Sequence, residues 1–187
     1  MARRHAAALE LTAMMKEVEE KHMSWFRFII LNAMFAMLLV GTANAATPHQ
    51  IDRMTARAAH QAMPMSAKEL KKLYSGRSWI WKDGAGFFSR HHRRFTAWSH
   101  TGAQKSYARG MWYATDRGRL CMSAVWYSKK SAAPNVSCFL HRKKAGIIYQ
   151  KRASGGKWYV FRHNPIKHDD EVLKLRPGDY VRRHLPG

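Results

Sequence analysis

At 187 residues the chain is long enough for one domain of ordinary size and too short for two. Lys and Arg total 33 against 12 Asp and Glu, a formal charge of +21, while 46% of residues are hydrophobic. That apolar fraction excludes a disordered polycation and implies a buried core beneath a strongly basic surface.

The first stretch that reads clearly is WFRFIILNAMFAMLLVGTANAAT. Arg27 precedes an apolar run from Phe28 to Val40, followed by Gly41 and the small-residue triplet Ala43-Asn44-Ala45. A run of about 13 residues is short for a membrane span of ~20 and suits the apolar region of a signal peptide with an A-x-A cleavage site. Residues 1–45 are therefore read as a signal peptide cut between Ala45 and Ala46, the alternative being an uncleaved anchor. The acidic, amphipathic ALELTAMMKEVEEKH fits poorly ahead of such a signal, whereas Met23 opens MSWFRF, an ordinary start. Residues 1–22 are accordingly read as a spurious or optional extension. The expected mature chain is exported, periplasmic or secreted, with no transmembrane segment after cleavage. Its charge is +20, because five basic and four acidic residues leave with the signal.

Residues 46–65 are polar and alanine-rich and read as a flexible or partly helical leader. Residues 66–187 read as a single β-rich domain that opens with a short helix, MSAKELKKLYSG. Ser66 and Glu69 make a capping-box pattern, and Gly76 ends the helix. The periodicity then shortens to two. RSWIWKDGAGFFS reads as a hairpin turning at Asp83-Gly84, with Trp79 and Trp81 on one face. RRFTAWS is a strand, and YARGMWYATDRGRLCMSAVWYS reads as two strands around Thr115–Gly118. YSKKSAAPNVS is read as a polar loop containing Pro134. VSCFLHRKKAGIIYQKRASGGKWYVFRHN gives three more strands, turning near Ala145-Gly146 and Gly155-Gly156. LRPGDYV is a turn with a last short strand. The fold class is mainly β: an antiparallel meander of about eight short strands, forming a small barrel or sandwich.

Cys121 and Cys138 are the only cysteines. Their spacing is far from C-x-x-C, and two thiols are too few for a structural zinc. In an exported chain they are expected to form a disulfide across two neighbouring strands.

The stretches GRSWIWKDGAGFF, FTAWS, ARGMWYATDRGRLCMSAVW, NVSCFLH and KWYVF carry a pattern of G-x-W-Y, then G-x-L-C, then C-F-x-H. It falls on Gly110, Trp112, Tyr113, Gly118, Leu120, Cys121, Cys138, Phe139 and His141. In these residues the chain resembles an exported bacterial family catalogued as domain of unknown function 995. The resemblance implies an envelope-associated β-domain and supplies no catalytic mechanism. The leader and RHHRR, residues 90–94, lie outside the pattern.

Trp112 and Trp126 are expected in the core, and Trp98, beside the basic run, as an exposed stacking platform. Basic clusters at predicted turns make Arg90, Arg93, Arg94, Lys143 and Lys144 the candidate ligand-binding cations. A surface of this charge attracts polyanions by counterion release. The expected partner is an acidic glycan or another anionic envelope component; nucleic acid is not the partner expected there. No cofactor or metal is expected: His91 and His92 point to opposite faces, and His168 with Asp169, Asp170 and Glu171 offers at most a weak surface cation site. No separated carboxylate pair stands out, so the chain is not expected to be an enzyme and no catalytic residue is assigned. The alternatives are a basic hydrolase using His91, His92 or His141, and a subunit docking on another envelope protein.

Overall fold

The computed structural model describes residues 46–102 and 104–186. The expected signal peptide, its cleavage site and the 1–22 extension lie outside the described residues. Ten antiparallel strands follow in meander order: β1 Met63–Pro64, β2 Arg77–Trp81, β3 Gly84–Phe88, β4 Arg94–Thr101, β5 Gln104–Ala114, β6 Arg119–Tyr127, β7 Ala132–Lys144, β8 Ile147–Arg152, β9 Tyr159–Arg162 and β10 Leu175–Pro177. The sheet runs β10-β2-β3-β4-β5-β6-β7-β8-β9, with β1 added alongside β7. It is a curled half-barrel, neither a closed barrel nor a two-sheet sandwich. Its edge strands β9 and β10 do not pair. Residues 163–174, ending in a 3-10 turn at Glu171–Lys174, cross between them and touch β9, β2 and β10.

Turn chemistry explains the hairpins. Ala145 and Gly146 both take positive φ, the backbone that a two-residue hairpin turn needs. Gly118 sits at φ 73°, and a Cβ there would lie 2.2 Å from the His141 carbonyl oxygen. The β6–β7 connection departs from expectation. The turn is only Ser128–Ser131, closed by Ser128 N–H donating to Ser131 O at 2.8 Å. Residues 132–137 belong to β7, so YSKKSAAPNVS is mostly strand. Pro134 is tolerated because β8 pairs with β7 only from Phe139 onward. On that open side a missing N–H costs no ladder bond.

Two helices use the two faces of the sheet. α1, Pro48–Gln61, is helical and packed where a flexible or partly helical leader was expected. Thr47 and Gln50 form a reciprocal cap, and Ala59 and Ala62 bury against Tyr149 and Trp158. Arg142 holds its C-terminus, donating to the His60 and Ala62 carbonyls at 2.9 and 3.1 Å. α2, Ala67–Tyr74, plugs one end of the half-barrel, burying Leu70 and Tyr74 against Phe88, Phe161 and Leu175. Its expected capping box is present: Ser66 N–H donates to Glu69 Oε2 at 2.9 Å and Glu69 N–H to Ser66 Oγ at 3.2 Å. The other Glu69 oxygen pairs with Lys143. The Lys143 ammonium and then Ser66 hold the Glu69 carboxyl down at about 2. Ser66→Ala is expected to lower stability by about 1 kcal/mol, read from the denaturant midpoint at neutral pH with an unchanged slope.

The disulfide is present. Cys121 and Cys138 face each other across β6 and β7 with Cα atoms 4.1 Å apart. No helix among the described residues is long and apolar enough to cross a membrane.

Candidate functional site

The cross-strand register places Trp79, Gly86, Ala97, Ala108 and Trp126 in one row on the concave face. Residues on the same face alternate along each strand, so Trp81, Gly84, Phe95, Gly110, Ala124 and Met122 join them. The middle of this face is lined by glycine and alanine, while the flanks carry large rings. That contrast leaves a hollow. A Cβ on Gly86 would stand 2.9 Å from the Phe95 ring, so only glycine leaves Phe95 its place.

The resulting cavity has a volume of about 320 Å³ and lies toward the end of the half-barrel away from α2. Its walls are Trp79, Trp81, Phe88, Phe95, Met122, Trp126 and Phe139. Phe88 is fully buried, and Trp79, Trp81, Trp126 and Phe139 are half-buried. Polar groups are few and confined to one side: Asn135, Ser137, Arg152 and Glu171. Glu171 Oε1 accepts from Trp79 Nε1 at 3.0 Å and Oε2 pairs with Lys174 at 2.6 Å. This fixes the Trp79 ring edge-on to Phe139, centroids 5.1 Å apart. The Arg152 guanidinium lies over the Phe139 ring, 5.7 Å from its centroid. An apolar pocket of this size with a few convergent polar groups is the usual form of a small-ligand site.

Beneath the cavity, toward α2, lies a buried polar cluster. Tyr74 Oη meets His141 Nε2 at 2.8 Å, and Gln150 Nε2 donates to Tyr74 Oη at 2.8 Å. Tyr159 closes the cluster by donating to Gln150 Oε1. Burial pushes the phenols of Tyr74 and Tyr159 above their ordinary range and the His141 imidazole down to about 4. His141 is wholly buried, with no opening to the cavity that would let it act on a substrate.

The residues expected from sequence are placed as follows. Arg90 and Arg93 are exposed in the β3–β4 turn and Arg94 is exposed at the start of β4. Lys143 and Lys144 end β7 at the β7–β8 turn, beside α2, and do not line the cavity. Lys143 is paired with Glu69, and Lys144 donates to Gln61 at 3.3 Å. Trp98 shares the outward face with Arg94, but its ring is stacked on His184, centroids 3.9 Å apart. Trp112 is core, as expected, and its Nε1 donates to Ser89 O at 3.0 Å. Trp126, also expected in the core, is a cavity wall instead, because its cross-strand partner is Ala108 and leaves it room. Trp79 and Trp81, expected on one face, both line the cavity. The acids of 169–171 diverge: Asp170 is buried and accepts from His163 N–H at 2.8 Å and Lys167 N–H at 2.9 Å, while Glu171 faces Trp79. Burial raises the Asp170 carboxyl, but the His163 and Lys167 hydrogen bonds outweigh it and leave the pKa below its ordinary value.

Asn135, Ser137 and Arg152 were not singled out from the sequence as a site; Phe139 entered only with the family pattern, and Glu171 only with the acidic cluster beside His168. The signal available was the run of small residues on one face of β3 to β6, which marks a hollow once the register is known. No curated protein and no solved structure matches the chain. The match to a family model runs from residue 36 to 181, across the leader and the 90–94 turn as well as the β-domain. The chain belongs to the family described as protein of unknown function, DUF995.

Proposed function

We propose that the protein is an exported binding module of the cell envelope that seats a small, largely apolar ligand in the concave cavity. The observation that carries this reading is the cavity itself. Its small-residue floor keeps about 320 Å³ open between half-buried tryptophans that a purely structural core would have packed shut. The disulfide supports export, since such bonds persist in oxidising compartments. The basic surface supports a second, less specific role: attraction to acidic polysaccharide or anionic headgroups, which would hold the module near the envelope. Binding rather than catalysis is favoured because the one buried histidine among the described residues does not line the cavity, and the cavity wall offers a single carboxylate, already engaged.

The test is a titration of the oxidised protein with an uncharged naphthalene dye, followed by tryptophan quenching at about 50 and 200 mM salt. Saturable one-to-one binding that survives the higher salt is expected, weakened roughly ten-fold in Trp126→Ala. Parallel titrations with acidic polysaccharide should show affinity that falls steeply with salt. Absence of saturable dye binding, or a Trp126→Ala variant with unchanged affinity, would count against the cavity.

A further inference from the structure

Resting on the cavity reading, we infer that the ligand is an amphiphile with one anionic head, and that Arg152 receives that head. Three observations converge. The first is the one-sidedness of the site. The deep wall offers only rings and a thioether, and every polar group stands at the Arg152 side. A sugar ring would need partners around its rim; an alkyl or aryl tail needs none in the depth and a polar contact at one end.

The second is the charge balance at the rim. Among the described residues the acidic side chains that pair do so with other cations: Glu69 with Lys143, Asp52 with Lys157 and Asp170 with His163, while Glu171, on the same rim as Arg152, is engaged by Lys174 and Trp79 Nε1. Arg152 is exposed, has no carboxylate partner among them and is oriented by the Phe139 ring beneath it. A guanidinium over a ring and with no carboxylate partner is suited to bidentate capture of a carboxylate or phosphate.

The third is the backbone beside it. Arg152 also lines a second recess of about 430 Å³ that shares Asn135, Ser137 and Phe139 with the cavity and adds Val136 and Ser154. This recess follows the stretch of β7 above Phe139 that β8 does not pair. Ala153 N–H donates to Cys138 O at 2.9 Å, so the Cys138 backbone points away from β6. By the alternation of an antiparallel ladder, Val136 points the same way. Its N–H meets no strand there and adds a donor beside Arg152. The cavity thus takes a tail, and the recess takes an anion. Fatty carboxylates and the phosphate of a lipid share this chemistry.

The experiment uses the oxidised protein and three twelve-carbon probes below their micelle thresholds: dodecyl phosphate, dodecanoate and uncharged dodecanol. Wild-type protein is expected to bind at least one anionic probe about ten-fold or more tighter than dodecanol. The stronger of phosphate and carboxylate identifies the head. In Arg152→Gln this preference should collapse to within about two-fold, with a cooperative denaturant transition showing that the variant is folded. Arg152→Lys should keep part of the preference. Equal binding of charged and uncharged probes by wild-type protein, or an undiminished preference in Arg152→Gln, overturns the inference and leaves the cavity reading standing. No binding of any probe removes both.

Discussion

Replacing both Cys121 and Cys138 by alanine is expected to cost the protein about 3 kcal/mol, the value for closing a loop of this length. The two residues are 17 apart in sequence. Alanine is the right probe because Cys121 is wholly buried, and a serine hydroxyl there would add the separate cost of an unpaired polar group. The loss should appear as a lower denaturant midpoint, and adding reductant to the native protein should reproduce it. Ligand binding should suffer as well. Above Phe139, β7 has β6 on one side and no strand on the other, so the disulfide is its second anchor. That same stretch supplies Asn135 and Ser137 to the cavity rim. Equal stability of oxidised and reduced protein would show that the ladder alone fixes this strand.

What the sequence disclosed and what it hid follow one physical division. Turns are local, so Asp83, Gly118 and Ala145-Gly146 marked the hairpins, and Ser66 with Glu69 marked α2. The fate of residues 46–65 was not local. Their alanine-rich stretch is helical because Ala59 and Ala62 find Trp158 and Tyr149 about a hundred residues later. Pro134 looked like a loop breaker because the sequence does not say which side of β7 is unpaired. The cavity depended on register. Trp126 opposite Ala108, and Trp79 opposite Gly86, leave space; the same tryptophans opposite leucine would fill a core. Arg152, next to Lys151, read as part of one of several basic clusters at predicted turns, and only the ring beneath it and the open strand beside it distinguish it. The clusters at Arg90–Arg94 and Lys143-Lys144 were legible as charge, but Lys143 also serves to hold α2 through Glu69.

Stability is expected to fall by about 3 kcal/mol between pH 6.5 and pH 4 because of His141 alone. Gln150 Nε2 can only donate, and it lies 2.6 Å from His141 Nε2, so that nitrogen must accept. The imidazole is therefore neutral, with its proton on Nδ1, which makes no hydrogen bond. Burial drives its pKa from 6.5 to about 4, offset only in part by the nearby Gly118 and Phe139 carbonyls. The folded pKa lies below the unfolded one, so the unfolded chain takes up the proton first as pH falls. Stability is thus complete above pH 6.5 and falls by roughly 1.4 kcal/mol per unit below it until about pH 4. The depressed carboxyls act lower: Glu69, with a pKa of about 2, gives up its contribution only below about pH 4.5. The two causes therefore separate along the pH axis. His141→Gln keeps a neutral amide beside Tyr74 and Gln150 and should flatten the profile from pH 6.5 to 4.5 while leaving the acid limb intact. A wild-type profile already flat over that window would mean that His141 is hydrated or protonated in the fold. The cavity should register the same change, because Tyr74 packs against both Phe88 and Trp79, with ring centroids 5.0 and 6.1 Å away. Protonating His141 disrupts the cluster that fixes Tyr74, and with it two of the cavity's walls.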